Sequence, residues 1–451
     1  MGTGMTTQHN VLVGSLFCLL AYPGVPVHAQ ERLSLPQAVA AVLTANPEMA
    51  AARAATQGTE QQLPQARAGF LPRIDFTHSW QRGNQPVFVF GSLLAQRQFA
   101  ETDFALRQLN QPDPLTNSRS ALSLEQVLFD GGRTRAAVRS ASLEAAAAKA
   151  SERQTRNDLE VTTTRAYGQV LRAVAERRAA EAGVAAAEED ARTADARRDA
   201  GTGTEADVLS MRVHLAQMRA RAIDAASGER ISRAELNRLM STPLDREWSL
   251  EEPRVVDSAP PEITVLVDQA LRQHPGIEQA ALRRESSHVL RQIAQSALLP
   301  SLVAQGGYEW NDGRRAGPAG AWIAGASLRV NLFSGGANAA RVREASYAIA
   351  RAEAEQARAE AGVRLDVLTA MERLGAARSR QDVSGAAVIE ARESQRMIRD
   401  RYEAGIAAAT DVIRAATAVL EAEAQRVGAV VDVSVGEAAM RRAVGGDEVI
   451  Q

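Results

Sequence analysis

Two short stretches decide the fold of this chain: Val127-Leu128-Phe129-Asp130-Gly131-Gly132 and Val330-Asn331-Leu332-Phe333-Ser334-Gly335-Gly336. Phe129 aligns with Phe333 at a spacing of 204 residues, and both stretches pass from apolar residues to a glycine pair. A glycine pair after an apolar run is typical of a bend between a strand and a helix, because glycine adopts tight-turn backbone angles without steric cost. We therefore predict the same bend twice.

Further matches in the same order indicate that the chain contains two copies of one unit. They are Asn46-Pro47 with His274-Pro275, Phe70-Leu71-Pro72 with Leu298-Leu299-Pro300, and Ala200-Gly201 with Ala404-Gly405. The first two matches are 228 residues apart and the third is 204 apart, so the first copy carries 24 extra residues between Pro72 and Phe129. We predict a first repeat over 30–240, a proline-containing linker over 241–262 and a second repeat over 263–451.

Each glycine pair is followed by the pattern of a very long helix. The spans 132–201 and 336–405 contain no proline and are rich in Ala, Glu, Arg and Leu. Such a helix is about 100 Å long at about 1.5 Å per residue, so it must pack along neighbouring rods. Shorter return helices are predicted over 207–240 and 411–444, where apolar residues recur every three or four positions.

Strand patterns precede both bends. In the first copy Ile74, Phe76 and Trp80 share one side. In the second copy the apolar face is predicted to contain Trp322, Ala324, Ala326, Leu328, Val330 and Leu332. Alternation of this kind fits a half-buried sheet and a transmembrane barrel strand equally well. We expect loops over 82–117 and 311–319 between the two strands of each copy.

The strand count constrains the assembly. Two strands per copy give four per chain, and four strands cannot close a barrel. Open strand edges in lipid leave backbone groups without hydrogen bonds, at a cost of several kcal/mol each. Bacterial outer-membrane barrels have even numbers of strands from about eight upward, so a membrane-spanning form needs at least a dimer or a trimer. The length of the chain does not choose between them.

Composition excludes several classes of protein. The chain has 451 residues, of which 4% are aromatic, and a net charge of −2. So few aromatic residues argue against a compact α/β enzyme, and the charge balance argues against a nucleic-acid binder. Cys18 is the single cysteine, which excludes a disulfide framework and a cysteine-based zinc site. The apolar run at 11–22 followed by Val27-His28-Ala29 predicts a signal peptide over 1–29.

No pattern for catalysis or for cofactor binding is present. The glycine pairs lack the Lys-Ser/Thr of a phosphate loop, and His78, His214, His274 and His288 have no partners at metal-ligand spacing. We therefore predict no catalytic residues, no metal and no cofactor, and we expect that the protein is not an enzyme.

The duplicated layout resembles the TolC family of outer-membrane efflux proteins over the whole mature chain. The resemblance rests on Asn46-Pro47-Glu48, Phe70-Leu71-Pro72-Arg73, Leu128-Phe129-Asp130-Gly131-Gly132, and Arg401-Tyr402-Glu403-Ala404-Gly405 ahead of Asp411-Val412. It implies a mainly α fold with a small β part, built as a homotrimer. Four transmembrane strands per chain would share a 12-stranded barrel in the outer-membrane lipid, continued by a coiled-coil-like tunnel of 12 helices through the periplasm. The implied partners are a periplasmic adaptor (membrane fusion protein) and an inner-membrane transporter.

The resemblance also implies roles for residues at the helix turns, which it places at the periplasmic tip. Asp411 would form an acidic gate, with Arg414 where the family often has a second aspartate. Tyr402 would tie the inner hairpin to the outer one, to which Asp207 belongs. Helix capping is an open alternative for both aspartates. The turn residues Gly201 and Gly405 end the long helices, and the resemblance alone makes them contacts for the adaptor.

Two functions of different classes follow. The first is a passive exit duct in the Gram-negative outer membrane, serving a tripartite efflux pump or type I secretion system and carrying drugs, metal ions or a polypeptide. The second is a soluble periplasmic helical scaffold or adaptor-like protein. The four alternating strands favour the first.

Overall fold

The structure is a computed structural model that describes residues 31–253, 261–313 and 316–446. The predicted signal peptide over 1–29, with Cys18, lies outside these ranges. The described chain is mainly helical, with a four-stranded antiparallel sheet at one end of the long helices and a two-stranded parallel pair elsewhere.

Eleven α-helices lie within the described residues. They are α1 Leu35–Ala45, α2 Pro47–Glu60, α3 Gln62–Arg67, α4 Pro86–Ala95, α5 Leu106–Asn110, α6 Arg133–Asp199, α7 Glu205–Leu239, α8 Ile263–Gln273, α9 Pro275–Ser296, α10 Ala337–Glu403 and α11 Ala409–Val444. The two longest, α6 and α10, have 67 residues each. They occupy the spans in which the sequence predicts the long helices, and each measures about 100 Å at about 1.5 Å per residue.

Six β-strands lie in the same ranges, together with short 3₁₀ turns at Ala68–Phe70 and Glu101–Phe104. The strands are β1 Glu31–Leu33, β2 Arg73–Gly83, β3 Leu115–Phe129, β4 Trp248–Leu250, β5 Ser301–Gly313 and β6 Ala316–Arg329.

Apart from α4 and α5, which lie between β2 and β3 in the chain, the helices form a single layer. At the turn end of the rods the order of contacts is α7–α6–α11–α10. Towards the sheet, α1, α2 and α3 take the place of α7 beside α6, and α9 lies between α6 and α10. Short helices thus stack end to end beside each long one. The layer has α6 and its neighbour of the second copy in the middle, and α10 at one margin.

The large sheet has the order β2–β3–β5–β6 and is antiparallel throughout. The two copies meet where β3 pairs with β5. A register shift between Val127 and Phe129 pairs Phe129 with Leu302. Because a bulge adds one residue to the strand, it turns Phe129 onto the face that holds Leu302 and its partner Leu328. Within the described residues, β2 and β6 are each paired on one side only.

The predicted linker over 241–262 contains a strand that the sequence analysis missed. Here β4 pairs in parallel with β1 near the N-terminus. The Tyr167 hydroxyl oxygen lies 2.7 Å from the carbonyl oxygens of Leu33 and Glu251, which fixes both strands to α6. Burial raises the pKa of Tyr167 to about 12, so its hydroxyl stays protonated. Strands of three residues have no periodicity to detect, and these two are separated by most of the first copy.

Both predicted loops need correction, as does the end of the last strand. The span 82–117 is ordered: β2 ends at Gly83, β3 begins at Leu115, and α4 and α5 lie between them. The loop expected over 311–319 is shorter, because β5 continues to Gly313 and β6 starts at Ala316. Val330 and Leu332 follow the end of β6 at Arg329 instead of extending its apolar face.

The two copies pack closely at Gly168 on α6. A Cβ atom added to Gly168 would overlap the Val431 side chain of α11. Val431 is itself buried, so it has little room to move. The absence of a side chain at Gly168 therefore lets two long helices of different copies pack closely.

Gly168→Ala should destabilise the protein. Overpacking costs about 1–3 kcal/mol, more than the gain of about 0.5–1 kcal/mol that alanine brings to a helix. Gly228→Ala on α7 is the matched control, since an added Cβ there meets no atom within 4 Å. We expect a lower thermal midpoint for Gly168→Ala and an unchanged or higher one for Gly228→Ala. Equal midpoints would contradict the close packing.

Candidate functional site

The turns at the far end of the rods have the same backbone structure in both copies. Gly201 has φ +75° and Gly405 has φ +77°. After α6, the N–H of Thr202 bonds to the carbonyl of Arg197 at 2.9 Å, and after α10 the N–H of Ile406 bonds to that of Arg401 at 2.8 Å. These are Schellman motifs, in which a left-handed residue closes the helix end. Both positions need glycine for this reason.

Asp207 and Asp411 both stabilise the start of a return helix. The Asp207 carboxylate accepts hydrogen bonds from the Thr204 backbone N–H at 3.2 Å and from its hydroxyl at 2.8 Å. The Asp411 carboxylate accepts the Ala408 N–H at 3.2 Å. Each aspartate is the third residue of its helix, where a carboxylate satisfies a free N–H and favours the positive helix end.

We call the turn between α6 and α7 the first tip and the turn between α10 and α11 the second tip. Arg414 lies beside Asp411 on the exposed side of the second tip. Its Nη1 atom is 3.7 Å from Asp411 Oδ1, and the two side chains are 81% and 42% exposed. An ion pair this open to solvent contributes about 0–1 kcal/mol. Both carboxylate oxygens of Asp411 thus have a partner in the chain, since Oδ2 accepts the Ala408 N–H and Oδ1 faces the Arg414 guanidinium.

Tyr402 lies in an apolar cluster that joins the two tips. It is 5% exposed and packs with buried residues of α6, α7 and α11. These are Ala191, Ala194, Val208, Met211, Ala409 and Val412. Burial raises the pKa of Tyr402, although the nearby Arg197 guanidinium acts in the opposite direction. Its ring therefore holds α10 against the first copy as a neutral group.

Arg197 on α6 makes the polar contact between the tips, and the sequence analysis missed it. Its Nη1 donates hydrogen bonds to the carbonyl oxygens of Tyr402 and Glu403, the latter at 3.4 Å. Its guanidinium also lies 4.8 Å from the centre of the Tyr402 ring, in cation–π geometry. The first copy thus reaches Tyr402 through Arg197, whereas Asp207 bonds within its own turn.

A buried ion pair adds a second connection. Arg399 Nη2 on α10 lies 3.2 Å from Asp190 Oδ1 on α6, and the Asp190 side chain is 7% exposed. The repeat alignment does not reveal either connection. It matches Arg197 with Arg401, which gives no sign that one reaches the other copy.

The glycine pairs form the bends between the sheet and the long helices. All four residues have positive φ: Gly131 +67°, Gly132 +85°, Gly335 +60° and Gly336 +84°. In the first copy, the Asp130 carboxylate accepts the Thr134 N–H at 2.7 Å, and in the second the Ser334 hydroxyl accepts the Asn338 N–H at 3.3 Å. The bends thus set the direction in which each rod leaves its strand.

The sheet has one apolar face and one polar face, and neither is covered by the helical layer. Large side chains of the apolar face are solvent-exposed in the single chain. They are Ile74, Phe76, Trp80, Leu122, Leu124, Tyr308, Trp310, Trp322 and Leu328. Polar partners such as Asp75 with Ser123, and Arg119 with Glu309, lie on the opposite face.

In residues 31–253, 261–313 and 316–446 no helix is both long and apolar enough to cross a membrane. In that part of the chain, no group of three His, Cys, Asp or Glu side chains is placed to hold a metal ion.

The model of the outer membrane efflux protein family matches residues 38–242 and 266–446. A similar curated protein is the outer membrane efflux protein BepC of Brucella suis biovar 1 (strain 1330). It is 24% identical over 409 residues, which cover 89% of this chain and 82% of BepC.

Solved structures show the same fold. The outer membrane protein VceC of Vibrio cholerae has a TM-score of 0.74 at 20% identity, covering 91% of this chain and 96% of VceC. The Campylobacter jejuni CmeC outer membrane channel has a TM-score of 0.79 at 18% identity, covering 91% and 85%. The family match places the protein in the Gram-negative outer membrane, with its helical part in the periplasm, and sets aside the soluble scaffold. The chain belongs to the outer membrane efflux protein family.

Proposed function

We propose that the protein is a homotrimeric channel that conducts substrate passively from a periplasm-spanning pump to the exterior. The observation that carries this proposal is that, within the described residues, both layers of the chain are open at their two margins. In the sheet the margins are β2 and β6. In the tip half of the helical layer they are α7 and α10. A rotation about the axis of the proposed trimer that pairs β6 of one chain with β2 of the next chain would also bring α10 of the first chain beside α7 of the next.

The sheet margins require a partner in lipid. Unpaired N–H and C=O groups cost several kcal/mol each in a bilayer, so β2 and β6 must pair with something. Three chains supply twelve strands, an even number within the range of outer-membrane barrels. The exposed apolar face would then contact lipid, and the face with Arg119 and Glu309 would line a water-filled lumen.

The helical margins carry matching apolar stripes. On α10, Tyr347, Leu365 and Val383 follow each other at 18-residue intervals, or five full turns, and Met397 lies close to the same line. Their exposures in the single chain are 76%, 62%, 71% and 53%. Exposed stripes of this length are typical of helices that pack against a neighbour.

The other margin has a stripe of the same kind on α7. Leu209, Val213, Ile223 and Ile231 lie within a narrow sector of that helix, and each is at least 54% exposed. In the proposed trimer, the tip half of α10, with Val383 and Met397, packs against α7 of the next chain. The sheet half of α10, with Tyr347 and Leu365, faces α1, α2 and α3 of that chain. Four helices from each chain would then close a tunnel of twelve.

Val383→Glu should dissociate the trimer, because an unpaired charge would be buried between two chains at a cost of several kcal/mol. Ile389→Glu is the matched control on the same helix. The two residues are 71% and 72% exposed, and Ile389 lies about 120° away from the stripe. Native mass measurement of the detergent-solubilised protein should show trimers for Ile389→Glu and smaller species for Val383→Glu. Equal behaviour of the two variants would contradict the proposed contact.

For the tip we propose an acidic gate with a built-in countercharge. Three copies of Asp411 would face one another in a narrow throat, where like charges repel and attract cations. Arg414 adds one cation per chain near the same ring, since its Nη1 is 3.7 Å from Asp411 Oδ1. The two residues should therefore affect ion selectivity in opposite directions.

Planar-bilayer recordings test this gate. Asp411→Asn should reduce the preference for cations over anions, whereas Arg414→Ala should increase it. Thr410→Ser, next to Asp411, changes no charge and should leave selectivity unchanged. If Asp411→Asn had the same conductance and selectivity as the unchanged protein, the assignment of the gate would be wrong.

We further propose that Arg197 holds the two tips of one chain together until the channel opens. The support is its reach across the copies to the Tyr402 and Glu403 carbonyls and to the Tyr402 ring. An adaptor bound at the turns around Gly201 and Gly405, with an inner-membrane transporter below, would supply the energy to part them. Drugs, metal ions or a secreted polypeptide are the classes of cargo for such a duct.

Arg197→Met should loosen the second tip. Loss of a charge-assisted hydrogen bond and a cation–π contact should speed amide hydrogen exchange in residues 399–408 by about tenfold or more. Arg198→Met is the control, because the ion partners of Arg198 are Asp195, Asp199 and Glu205 in its own copy. Mass spectrometry of peptides from this region should separate the two variants. Equal exchange would show that Arg197 does not hold the tip.

A further inference from the structure

The segment between β2 and β3, residues 84–114, folds back onto the polar face of the sheet. Its anchor is Gln96, which is 2% exposed. Gln96 Nε2 donates to the Thr116 carbonyl and to Asn117 Oδ1, both at 2.9 Å. Asn117 Nδ2 in turn donates to Asn311 Oδ1 at 2.9 Å. This buried chain of amides ties the segment to β3 and β5 on the face opposite the exposed tryptophans.

A second anchor reaches the margin of the sheet. Arg97 Nη2 donates to the carbonyl oxygen of Gly320 on β6 at 2.9 Å. Arg97 has φ +54°, a backbone conformation that non-glycine residues rarely adopt. Two consecutive residues thus attach the end of α4 to the sheet. Gln96 binds β3 and, through Asn117, β5, and Arg97 binds β6.

Helix α4 is apolar all round, yet one of its sides is uncovered. Its sequence, Pro86-Val87-Phe88-Val89-Phe90-Gly91-Ser92-Leu93-Leu94-Ala95, contains no charged residue. Val89 and Ser92 are buried against the rest of the chain. On the other side Val87, Phe90 and Leu94 form a stripe with exposures of 87%, 37% and 51%. A helix without a polar side is normally buried, so this stripe needs a partner.

The direction of the stripe identifies that partner. Because Gln96 docks on the polar face, the stripe points away from the sheet on its polar side. In the proposed barrel this is the lumen, and the other occupants of the lumen at that height are the same segments of two further chains. Apolar side chains that meet across the lumen are removed from water, which favours their contact.

We propose that residues 84–114 of three chains meet through the stripe Val87, Phe90 and Leu94 and form an apolar plug at the outer end of the barrel. This inference rests on the proposed trimeric channel. It adds a second closure, remote from the helix tips, that must part for substrate to leave. The Phe90–Phe99 and Phe99–Phe104 ring contacts, with centroids 4.9 and 5.0 Å apart, would keep each segment rigid when it moves.

Cross-linking tests the contact directly. In a Cys18→Ser background, Leu94→Cys should be linked between chains by a short bis-maleimide in intact outer membranes. Ile323→Cys is the control: it is 75% exposed and lies on the polar face of β6, away from the stripe. We expect linked dimers and trimers for Leu94→Cys and none for Ile323→Cys. Intact trimers in which Leu94→Cys is not linked would overturn the plug while leaving the proposed channel in place.

Access from outside tests the closure. Ser327→Cys lies on the exposed polar face of β6, within the proposed lumen. On intact cells a small maleimide should label it, whereas a maleimide carrying a bulky polymer should not. Leu94→Asp should speed labelling by the bulky reagent about tenfold or more, since it replaces buried leucine contacts with three repelling carboxylates.

Two results would count against this closure. Equal labelling of Ser327→Cys by both reagents in the otherwise unchanged protein would overturn the plug alone. Failure of both reagents to label Ser327→Cys, with or without Leu94→Asp, would overturn the plug and the proposed lumen together.

Discussion

Incomplete closure of both layers is the constraint on which the rest of the structure depends. Among the described residues, β2 and β6 each have a strand partner on one side only. The helical layer ends in α7 and α10, each with an exposed apolar stripe. In the proposed trimer, one neighbouring chain would complete both the backbone hydrogen bonding of the sheet and the burial of the apolar stripes. The outer-membrane location of the family fits a sheet that needs lipid on its apolar face.

Duplication gives each chain a rigid centre between these open margins. The copies join twice, where β3 pairs with β5 and where α6 packs against α11. Gly168 permits the close helix contact, and the bends at Gly131-Gly132 and Gly335-Gly336 direct both rods from one sheet. Because each rod is about 100 Å long, the direction set at its bend determines where its tip lies. Small residues and positive φ angles at a few positions thus set the shape of the whole layer.

The two ends of the molecule use opposite chemistry. At the tips, Asp207 and Asp411 cap helices while Arg197 and Arg399 connect the copies. At the outer end, a neutral chain of Gln96, Asn117 and Asn311 holds an apolar helix against the polar face. The open Asp411–Arg414 pair contributes little, whereas the Arg399–Asp190 pair, with its buried carboxylate, and the buried chain of amides are costly to break. Charged groups thus connect the two copies at the tips, and neutral amides attach the outer segment to the sheet.

The sequence by itself determined the features that local patterns encode. Proline-free spans, strand alternation and turn glycines indicated two copies, two long helices, the strands and the turns at Gly201 and Gly405. Tertiary structure alone decided the pairing of β1 with β4, the reach of Arg197 to Tyr402, and the docking of Gln96 on Asn117. It also replaced the expected loop over 82–117 with α4 and α5. Periodicity depends on neighbours within a few residues, whereas these contacts join elements whose distance is set only when the layers pack.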